Sequence, residues 1–245
     1  MLEWLGLTLL GGAALAAPTF CELRSGEMPP QRLELYTSEG CSSCPPADRW
    51  LTQLPANDAR LLLAFHVDYW DDLGWKDRYS DARYSARQHS VAARSGSRTV
   101  YTPEVVVEGR EYRGWRQGLP APIATLAPPL LVVVELDQRL RLKLRALDLH
   151  PNAMSAFAAV TEDGIESEVR AGENRGVRLR HAAVVRAYEH ARVTAQELSL
   201  ALELPQDLDL AQARAVVWLE DESGATVQGF SRPLNACRAT ATAAE

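Results

Sequence analysis

The sequence predicts an α/β domain followed by an antiparallel, β-sandwich-like region. Three observations support this fold class. A strand, a helix and a second strand follow one another across residues 32–67. A β-hairpin pattern follows at residues 104–114. Beyond Pro128-Pro129, apolar residues alternate with polar ones, which is the period-two pattern of half-buried antiparallel strands.

The first strand is the β-prone run Arg32–Thr37, which is interrupted by Ser38-Glu39-Gly40. A helix is expected from Pro45 onward, because proline fits a first helical turn, where backbone N–H groups have no intrahelical partner. The continuous apolar run Leu61–Val67 predicts a parallel strand that is covered on both faces. Together the three elements form a right-handed crossover unit.

The remaining elements of the first half are a helix over Lys76–Ser95, the hairpin entered through Thr102-Pro103, and a closing helix over Gln117–Ala127. The resulting order, β-α-β-α-β-β-α, is that of a thioredoxin-like fold. We therefore expect a thioredoxin-like domain over residues 30–128.

The second half contains strand patterns only. Leucines alternate with other residues over 140–145 and again over 198–204, and the runs Val216–Glu220 and Thr226–Ser231 flank a Ser-Gly turn. Several strands separated by turns predict a β-rich, sandwich-like domain over residues 129–237.

The N-terminal segment 1–17 resembles an export signal. It has an uncharged apolar stretch and the small residues Ala14-Leu15-Ala16 near its end. Its opening is atypical, because Glu3 replaces the usual positive charge. The stretch is also shorter than the roughly 20 apolar residues that span a bilayer, so we expect no stable membrane span in the mature chain. These features predict a periplasmic or secreted protein; a buried N-terminal helix is the alternative.

The charge balance argues against nucleic acid as a partner. The chain has 26 Lys and Arg residues against 32 Asp and Glu residues, for a net charge of -6. Proteins that bind phosphate backbones usually carry a basic patch or stripe, which this composition does not supply.

Cys41 and Cys44 are the main candidate catalytic residues. They lie between a predicted strand and a predicted helix, where unpaired N–H groups lower the pKa of a thiol. Cys41 is expected to be exposed and to act as the nucleophile, and Cys44 to be shielded and to resolve the mixed disulfide. Glu39 opposes thiolate formation, although an exposed Glu39 would be screened by water and salt.

Three further residues are candidates for proton transfer. Glu34 lies inside an apolar strand, where burial would raise its pKa and make it a proton acceptor for Cys44. His66 and Asp68 follow the end of a parallel strand, the edge where open α/β sheets place ligands. They could move protons or hold a metal; a solvated, helix-capping loop is the alternative.

Cys21 and Cys237 are the other two cysteines, and they flank the folded region. In an exported chain this arrangement predicts a structural disulfide between them. The alternative is two free thiols in terminal tails.

Three blocks of sequence resemble a known family: LELYTSEGCSSCPPAD (33–48), FHVDYWDDLGWK (65–76) and VYTPEVVVEGR (100–110). They are similar to the secreted thioredoxin-like proteins grouped as domain of unknown function 1223, and a weaker similarity continues through 172–186. The resemblance implies a thioredoxin-like fold with an appended β-rich region. In thioredoxin-like proteins a cis-proline faces the cysteine pair, and its neighbour's backbone pairs with bound peptide; the resemblance implies these roles for Pro103 and Thr102.

These observations predict an exported thiol-disulfide oxidoreductase that acts on protein or small-molecule thiols through Cys41 and Cys44, with no cofactor and no resident metal. Two alternatives stay open. In the first, the two cysteines, with His66, hold a soft metal such as Cu(I), which thiolates favour. In the second, the protein is a partner-binding module whose thiol pair has no catalytic role.

Overall fold

The computed structural model describes residues 19–57, 59–122, 125–137, 141–147 and 155–236. Two α-helices and one short 3-10 helix are formed in these ranges: α1 (Pro45–Leu51), α2 (Ala82–Arg94) and the 3-10 helix Arg113–Arg116. The strands are β1 (Thr19–Arg24), β2 (Gln31–Thr37), β3 (Arg60–His66), β4 (Glu104–Val107), β5 (Arg110–Glu111), β6 (Leu131–Leu136), β7 (Arg141–Leu147), β8 (Ser155–Glu162), β9 (Ile165–Glu168), β10 (Arg178–His181), β11 (Val184–Arg192), β12 (Leu198–Glu203), β13 (Ala213–Glu220) and β14 (Thr226–Pro233).

An eight-stranded mixed sheet forms the centre of the molecule, in the order β14-β13-β8-β11-β3-β2-β4-β5. Strands β2 and β3 are parallel and connected through α1, as the crossover pattern predicts. Strand β11 lies beside β3, with Val184 opposite Ala64. This contact joins strands from the first half of the sequence to strands from the second half in one sheet.

A second, four-stranded antiparallel sheet has the order β1-β6-β7-β12. In β6, buried and half-buried residues alternate along the strand. Its buried side chains, including Val132 and Val134, share a hydrophobic cluster with Val160 of β8 and Val217 of β13. The two sheets thus pack face to face, which explains the period-two alternation of the second half.

The predicted fold class is wrong. The structure is 41% strand and 12% helix, and it has several sheets instead of a thioredoxin-like α/β domain. The elements up to β5 occur in the predicted order, but the closing helix over 117–127 is not formed among its described residues. Pro120 and Pro122 give a physical reason, because each removes a backbone donor and disfavours helical geometry in the preceding residue. The domain bounds 30–128 and 129–237 stay a prediction.

Helix α2 is shorter than predicted, since residues 76–81 form a loop. Asp81 is its N-cap and accepts a hydrogen bond from the Arg83 backbone N–H. The hairpin predicted around Ser223-Gly224 is confirmed by the antiparallel pairing of β13 with β14. None of the helices in the described ranges is long and apolar enough to cross a membrane. The candidate export signal 1–17 and Cys237 lie outside the described residues.

Candidate functional site

Cys41 and Cys44 form a disulfide between the end of β2 and the start of α1. Their Cα atoms are 5.4 Å apart, and Cys44 is the N-cap of α1. The Cys44 backbone N–H donates to the Cys41 carbonyl oxygen at 3.2 Å, which closes the turn between the two residues. Pro45 and Pro46 follow in the first helical turn, as predicted. The predicted pairing of these two cysteines is confirmed.

Both cysteines are fully buried, at 0% exposure, so the expected exposure of Cys41 is wrong. A segment from the second half of the chain, residues 172–176, is hydrogen-bonded to the backbone around Cys41, and we call it the strap. The Asn174 side-chain amide donates to the carbonyl oxygens of Glu39 and Cys41, both at 2.8 Å. The Glu173 carboxylate accepts from the Ser42 backbone N–H at 3.1 Å. The strap therefore connects a distant part of the sequence to the backbone next to the disulfide.

Thr102 and Pro103 lie beside the disulfide, and the peptide bond between them is cis, as the resemblance implies. The Ser43 hydroxyl lies 3.4 Å from the Cys41 Sγ and 3.4 Å from the Thr102 carbonyl oxygen. The Trp70 indole N–H donates to the Thr102 hydroxyl at 2.8 Å. A shallow cavity of about 240 Å³ begins at Ser43 and Pro103 and extends over Trp115. Thr102 and Pro103 therefore lie next to the disulfide, at the position that the resemblance implies.

Glu34 does not have the predicted properties. It is buried, but its carboxylate accepts hydrogen bonds from Arg32 at 2.7 Å, Arg87 at 2.6 and 2.9 Å, and Tyr36 at 2.6 Å. Burial opposes its ionisation, yet Arg87 and Arg32 outweigh burial and lower its pKa to about 2. The expected raised pKa is wrong, because Glu34 belongs to a buried ion cluster that also includes Glu220.

His66 and Asp68 are separated by the structure. His66 Nδ1 lies 2.7 Å from the Asp77 carboxylate, and both side chains are fully buried. Asp68 instead accepts a hydrogen bond from the Ser85 hydroxyl of α2 at 2.5 Å. His66 is therefore part of the protein interior, while Asp68 connects its loop to Ser85 within α2; the cap of that helix is Asp81.

Five ionisable side chains form what we call the buried cluster: Glu39, Asp48, His66, Asp77 and His181. Asp77 accepts from the Glu39 backbone N–H at 2.8 Å, and the Trp75 indole N–H donates to the Glu39 carboxylate at 2.8 Å. His181 Nε2 lies 3.6 Å from the same carboxylate. The ring centroids of His66 and His181 are 5.1 Å apart. Glu39 is thus buried, and it is not the exposed, solvent-screened residue expected from the sequence.

The buried cluster perturbs the pKa of each of four members. Burial alone would lower the pKa of His66, but the adjacent Asp77 carboxylate outweighs burial and raises it. Burial alone would raise the pKa of Asp77, but His66 outweighs burial and lowers it. Burial raises the pKa of Glu39, but His181 and hydrogen bonds reverse this and lower it. Burial raises the pKa of Asp48, and the nearby histidines only partly offset that effect. The cluster therefore combines charged carboxylates with one whose ionisation is disfavoured.

Several polar atoms of this region have no hydrogen-bond partner in the described chain although they are fully buried. They include His66 Nε2, both ring nitrogens of His181, one Glu39 carboxylate oxygen and the Thr37 hydroxyl. Buried polar groups are nearly always paired, so such a concentration is typical of functional sites. The described residues contain no group of three or more His, Cys, Asp and Glu side chains placed to hold a metal ion.

A family model for a protein of unknown function, DUF1223, matches residues 33–220. The chain belongs to the DUF1223 family. A search of functionally curated proteins gave no match. The DUF1223 chain is also similar to the crystal structure of a protein from Agrobacterium tumefaciens, with a TM-score of 0.57 and 22% identity over 86% of this chain and 97% of that one. At this identity the likeness shows the fold alone.

Four residues of the site were not predicted from the sequence: Asp48, Asp77, Asn174 and Glu173. Asp48 and Asp77 lie within or directly after the quoted blocks, at positions four and thirty-three residues beyond Cys44. Asn174 and Glu173 lie in the weaker similarity near 172–186, far along the chain. That second-half similarity was the available signal, but neither periodicity nor spacing could show that this segment is hydrogen-bonded next to the disulfide. Cys21 lies half-buried on β1, and its predicted bond to Cys237 stays a prediction, since Cys237 lies outside the described residues.

Proposed function

We propose that this DUF1223 protein is an exported thiol-disulfide oxidoreductase that uses Cys41 and Cys44 on protein or small-molecule thiols. The observation that carries the proposal is the disulfide at a strand-to-helix junction, backed by a buried cluster with perturbed pKa values. A disulfide that serves only to staple the chain needs no ionisable groups behind it. Perturbed buried groups beside reactive atoms are instead typical of catalytic sites.

The reaction exchanges one disulfide for another. A substrate thiolate attacks the Cys41 Sγ, the bond between Cys41 and Cys44 breaks, and its electron pair stays on the Cys44 sulfur. A second substrate thiolate then attacks the substrate sulfur of the mixed disulfide and releases Cys41. The substrate leaves as a disulfide, and the protein is left as a dithiol; the reverse sequence oxidises the protein again.

Cys41 is assigned as the sulfur that bonds to substrate. The exposed residues Ser42 and Ser43 follow it, and the Ser43 hydroxyl lies 3.4 Å from its Sγ, where it can donate a hydrogen bond to a thiolate. Cys44 instead begins α1, the helix that also carries Asp48 of the buried cluster. Because both cysteines are buried, a substrate thiolate reaches Cys41 only after a neighbouring group moves, and the strap, which is hydrogen-bonded to Cys41 and Ser42, is the segment that we expect to move.

Export fits this chemistry. Disulfides persist in oxidising compartments such as the periplasm, and residues 1–17 have the composition of an export signal. Fractionation of cells that produce the full chain tests this part of the proposal. Recovery of the intact, uncleaved chain from the cytoplasm would contradict it.

Mixed-disulfide trapping tests the catalytic assignment. The Cys44→Ser variant should accumulate a covalent adduct with glutathione or a substrate protein, because no resolving thiol remains. The Cys41→Ser variant should not, since its remaining thiol, Cys44, is held at the start of α1, whereas Cys41 precedes the exposed residues Ser42 and Ser43. Mass spectrometry under non-reducing conditions measures both. Equal adduct formation by the two variants, or none by either, would sink the assignment.

A further inference from the structure

Asp48 lies one helical turn after Cys44. Cys44 has helical backbone angles, and the Asp48 backbone N–H donates to the Cys44 carbonyl oxygen at 3.2 Å. Residues four apart on a helix share one face, with Cβ atoms about 5–6 Å apart. Both residues are buried, Cys44 fully and Asp48 at 5% exposure. The carboxyl group of Asp48 is therefore the acidic side chain that α1 places on the same face as the Cys44 sulfur.

Every element packed against this face contributes a polar or ionisable group. Strand β2 contributes the Thr37 hydroxyl, β3 contributes His66, the loop after β3 contributes Asp77, and β10 contributes His181. Asp48 forms no ion pair with any of them in the part of the chain that the structure describes. Asp77, by contrast, is paired with His66, and Glu39 with Trp75 and His181. Among the three carboxyls of the cluster, Asp48 is the one without an ion pair in the described residues, and the nearby His181 and His66 offset its burial only in part.

Breaking the disulfide creates a charge at a dry position. When the bond to Cys41 breaks, the electron pair remains on the fully buried Cys44 sulfur. A buried, unpaired anion is unstable because it has lost its hydration. The charged carboxylates of the buried cluster, Glu39 and Asp77, make a further negative charge in this region less favourable. The Cys44 thiolate should therefore take up a proton, and a buried acid beside it can supply one, since Cys44 is fully buried in the oxidised structure.

The geometry points to Asp48 as the proton donor to Cys44 during reduction and the proton acceptor during reoxidation. This inference rests on the proposed function. In reduction, a thiolate from the reducing thiol attacks Cys41, the Cys44 sulfur leaves with the bonding electrons, and the Asp48 carboxylic acid transfers its proton to that sulfur. The products are the Cys41 mixed disulfide, the Cys44 thiol and the Asp48 carboxylate. His66 and His181 lie where they stabilise that carboxylate, and reoxidation returns the proton from Cys44 to Asp48.

The rate of reduction by a small thiol, as a function of pH, tests the inference. The oxidised full chain is mixed with 2-mercaptoethanol, quenched by alkylation and analysed by mass spectrometry, and the rate constant is expressed per reductant thiolate. In the wild type this constant should fall as pH rises through the pKa of Asp48, since the donor is then lost. Asp48→Asn keeps nearly the same side-chain shape but has no carboxylic acid proton. Its rate constant should therefore be at least about tenfold lower than that of the wild type at pH values below the pKa of Asp48. It should also not decrease as pH rises through that pKa.

Two further variants separate proton transfer from structure. Asp48→Glu keeps a carboxyl group and should retain a pH-dependent fall, with a shifted midpoint. Asp72→Asn removes a carboxyl from an exposed loop position and should match the wild type. An Asp48→Asn variant with the wild-type rate and pH profile would overturn the inference while leaving the proposed function intact. A wild-type disulfide that no thiol reduces at any pH would overturn both.

Discussion

Glu34 and Asp48 are both buried carboxyl groups, and their neighbours drive their pKa values in opposite directions. Glu34 accepts hydrogen bonds from two buried arginines and a tyrosine, and its pKa falls to about 2. For Asp48, burial raises the pKa, and the nearby His181 and His66 offset that effect only in part. Burial alone therefore does not decide the charge of a carboxyl group; the partner that is buried with it does.

Glu34→Gln should destabilise the protein without changing its redox chemistry. The substitution leaves Arg32 and Arg87 with an uncompensated buried charge, which costs about 3–5 kcal/mol in comparable sites. Urea unfolding at pH 7 measures the loss. Glu203→Gln, at an exposed position on β12, is the matched control and should change stability little. A Glu34→Gln variant as stable as the control would contradict this account of the ion cluster.

The same ion pair predicts the sign of an acid effect. The pKa of Glu34 is lower in the folded protein than its ordinary value of 4.5. Its stabilising contribution is therefore complete above about pH 4.5 and is lost as pH falls toward about 2. As pH falls through this interval, the free energy of unfolding of the wild type should decrease by the contribution of Glu34. The free energy of unfolding of Glu34→Gln should decrease less, because the variant has no carboxylate at this position.

At the residue scale, the sequence predicts that the two cysteines and His66 belong to the site, but it does not predict how deeply Cys41 is buried. A Cys-x-x-Cys after a strand is a local pattern, so it could be predicted from spacing. Exposure is a property of the whole chain: Cys41 is buried in a site to which Asn174, more than 130 residues away, contributes a hydrogen bond. Glu34 was misjudged for the same reason, since Arg87 comes from α2 and its distance along the chain gave no signal.

At the element scale, the strap connects two segments that are far apart in the sequence. It begins at Gly172 and ends at Gly176, and both glycines have positive φ angles, of 71° and 83°. A Cβ atom at Gly172 would lie 3.0 Å from the Trp75 side chain, so the strap lies close against the loop after β3. Its hydrogen bonds to Glu39, Cys41 and Ser42 hold it next to the disulfide in the oxidised state.

Asn174→Ala should make the disulfide easier to reduce. The change removes two hydrogen bonds that hold the strap, each of which contributes about 1 kcal/mol. If displacement of the strap limits access, reduction by dithiothreitol should be about 10- to 30-fold faster. Arg175→Ala, at the exposed neighbouring residue, is the matched control and should react like the wild type. Circular dichroism checks that both variants remain folded. A rate for Asn174→Ala equal to that of the control would show that the strap does not limit access.

The closing helix over 117–127 illustrates where element prediction failed. Its residue pattern suggested a helix that would end a thioredoxin-like domain, but prolines at 120 and 122 interrupt the segment. Strand β11 then adds to β3, with Val184 opposite Ala64. Strand pairing between distant segments depends on tertiary contacts, whereas the hairpin β13–β14 depends on a local turn and was predicted correctly.

At the scale of the whole molecule, the eight-stranded sheet makes the two halves of the chain structurally dependent. A second contact reinforces the sheet, because the turn after β4 touches the turn between β13 and β14. A Cβ atom at Gly109 would lie 2.5 Å from the Gly224 carbonyl oxygen. We therefore expect the described part of the chain to unfold as one cooperative unit.

A pair of glycine substitutions tests this dependence. Gly109 and Gly164 both have a φ of 73°, so alanine is strained equally at either position, but no atom lies within 4 Å of a Cβ at Gly164. Gly109→Ala should therefore be less stable than Gly164→Ala by about 1–3 kcal/mol, the typical effect of overpacking. Denaturation followed by tryptophan fluorescence and by circular dichroism should give coincident transitions for both variants. Separate transitions for the two probes would contradict the single-unit account.

The most direct test of the central claim is the equilibrium of the Cys41-Cys44 disulfide with glutathione. The folded protein is equilibrated over a series of reduced-to-oxidised glutathione ratios, quenched by alkylation and analysed by mass spectrometry. We predict a reversible transition, reached from either direction at the same ratio, in which the two thiols appear together while the fold is retained. A disulfide that stays intact across the whole series, or that opens only when the protein unfolds, would show a structural bond and contradict the claim.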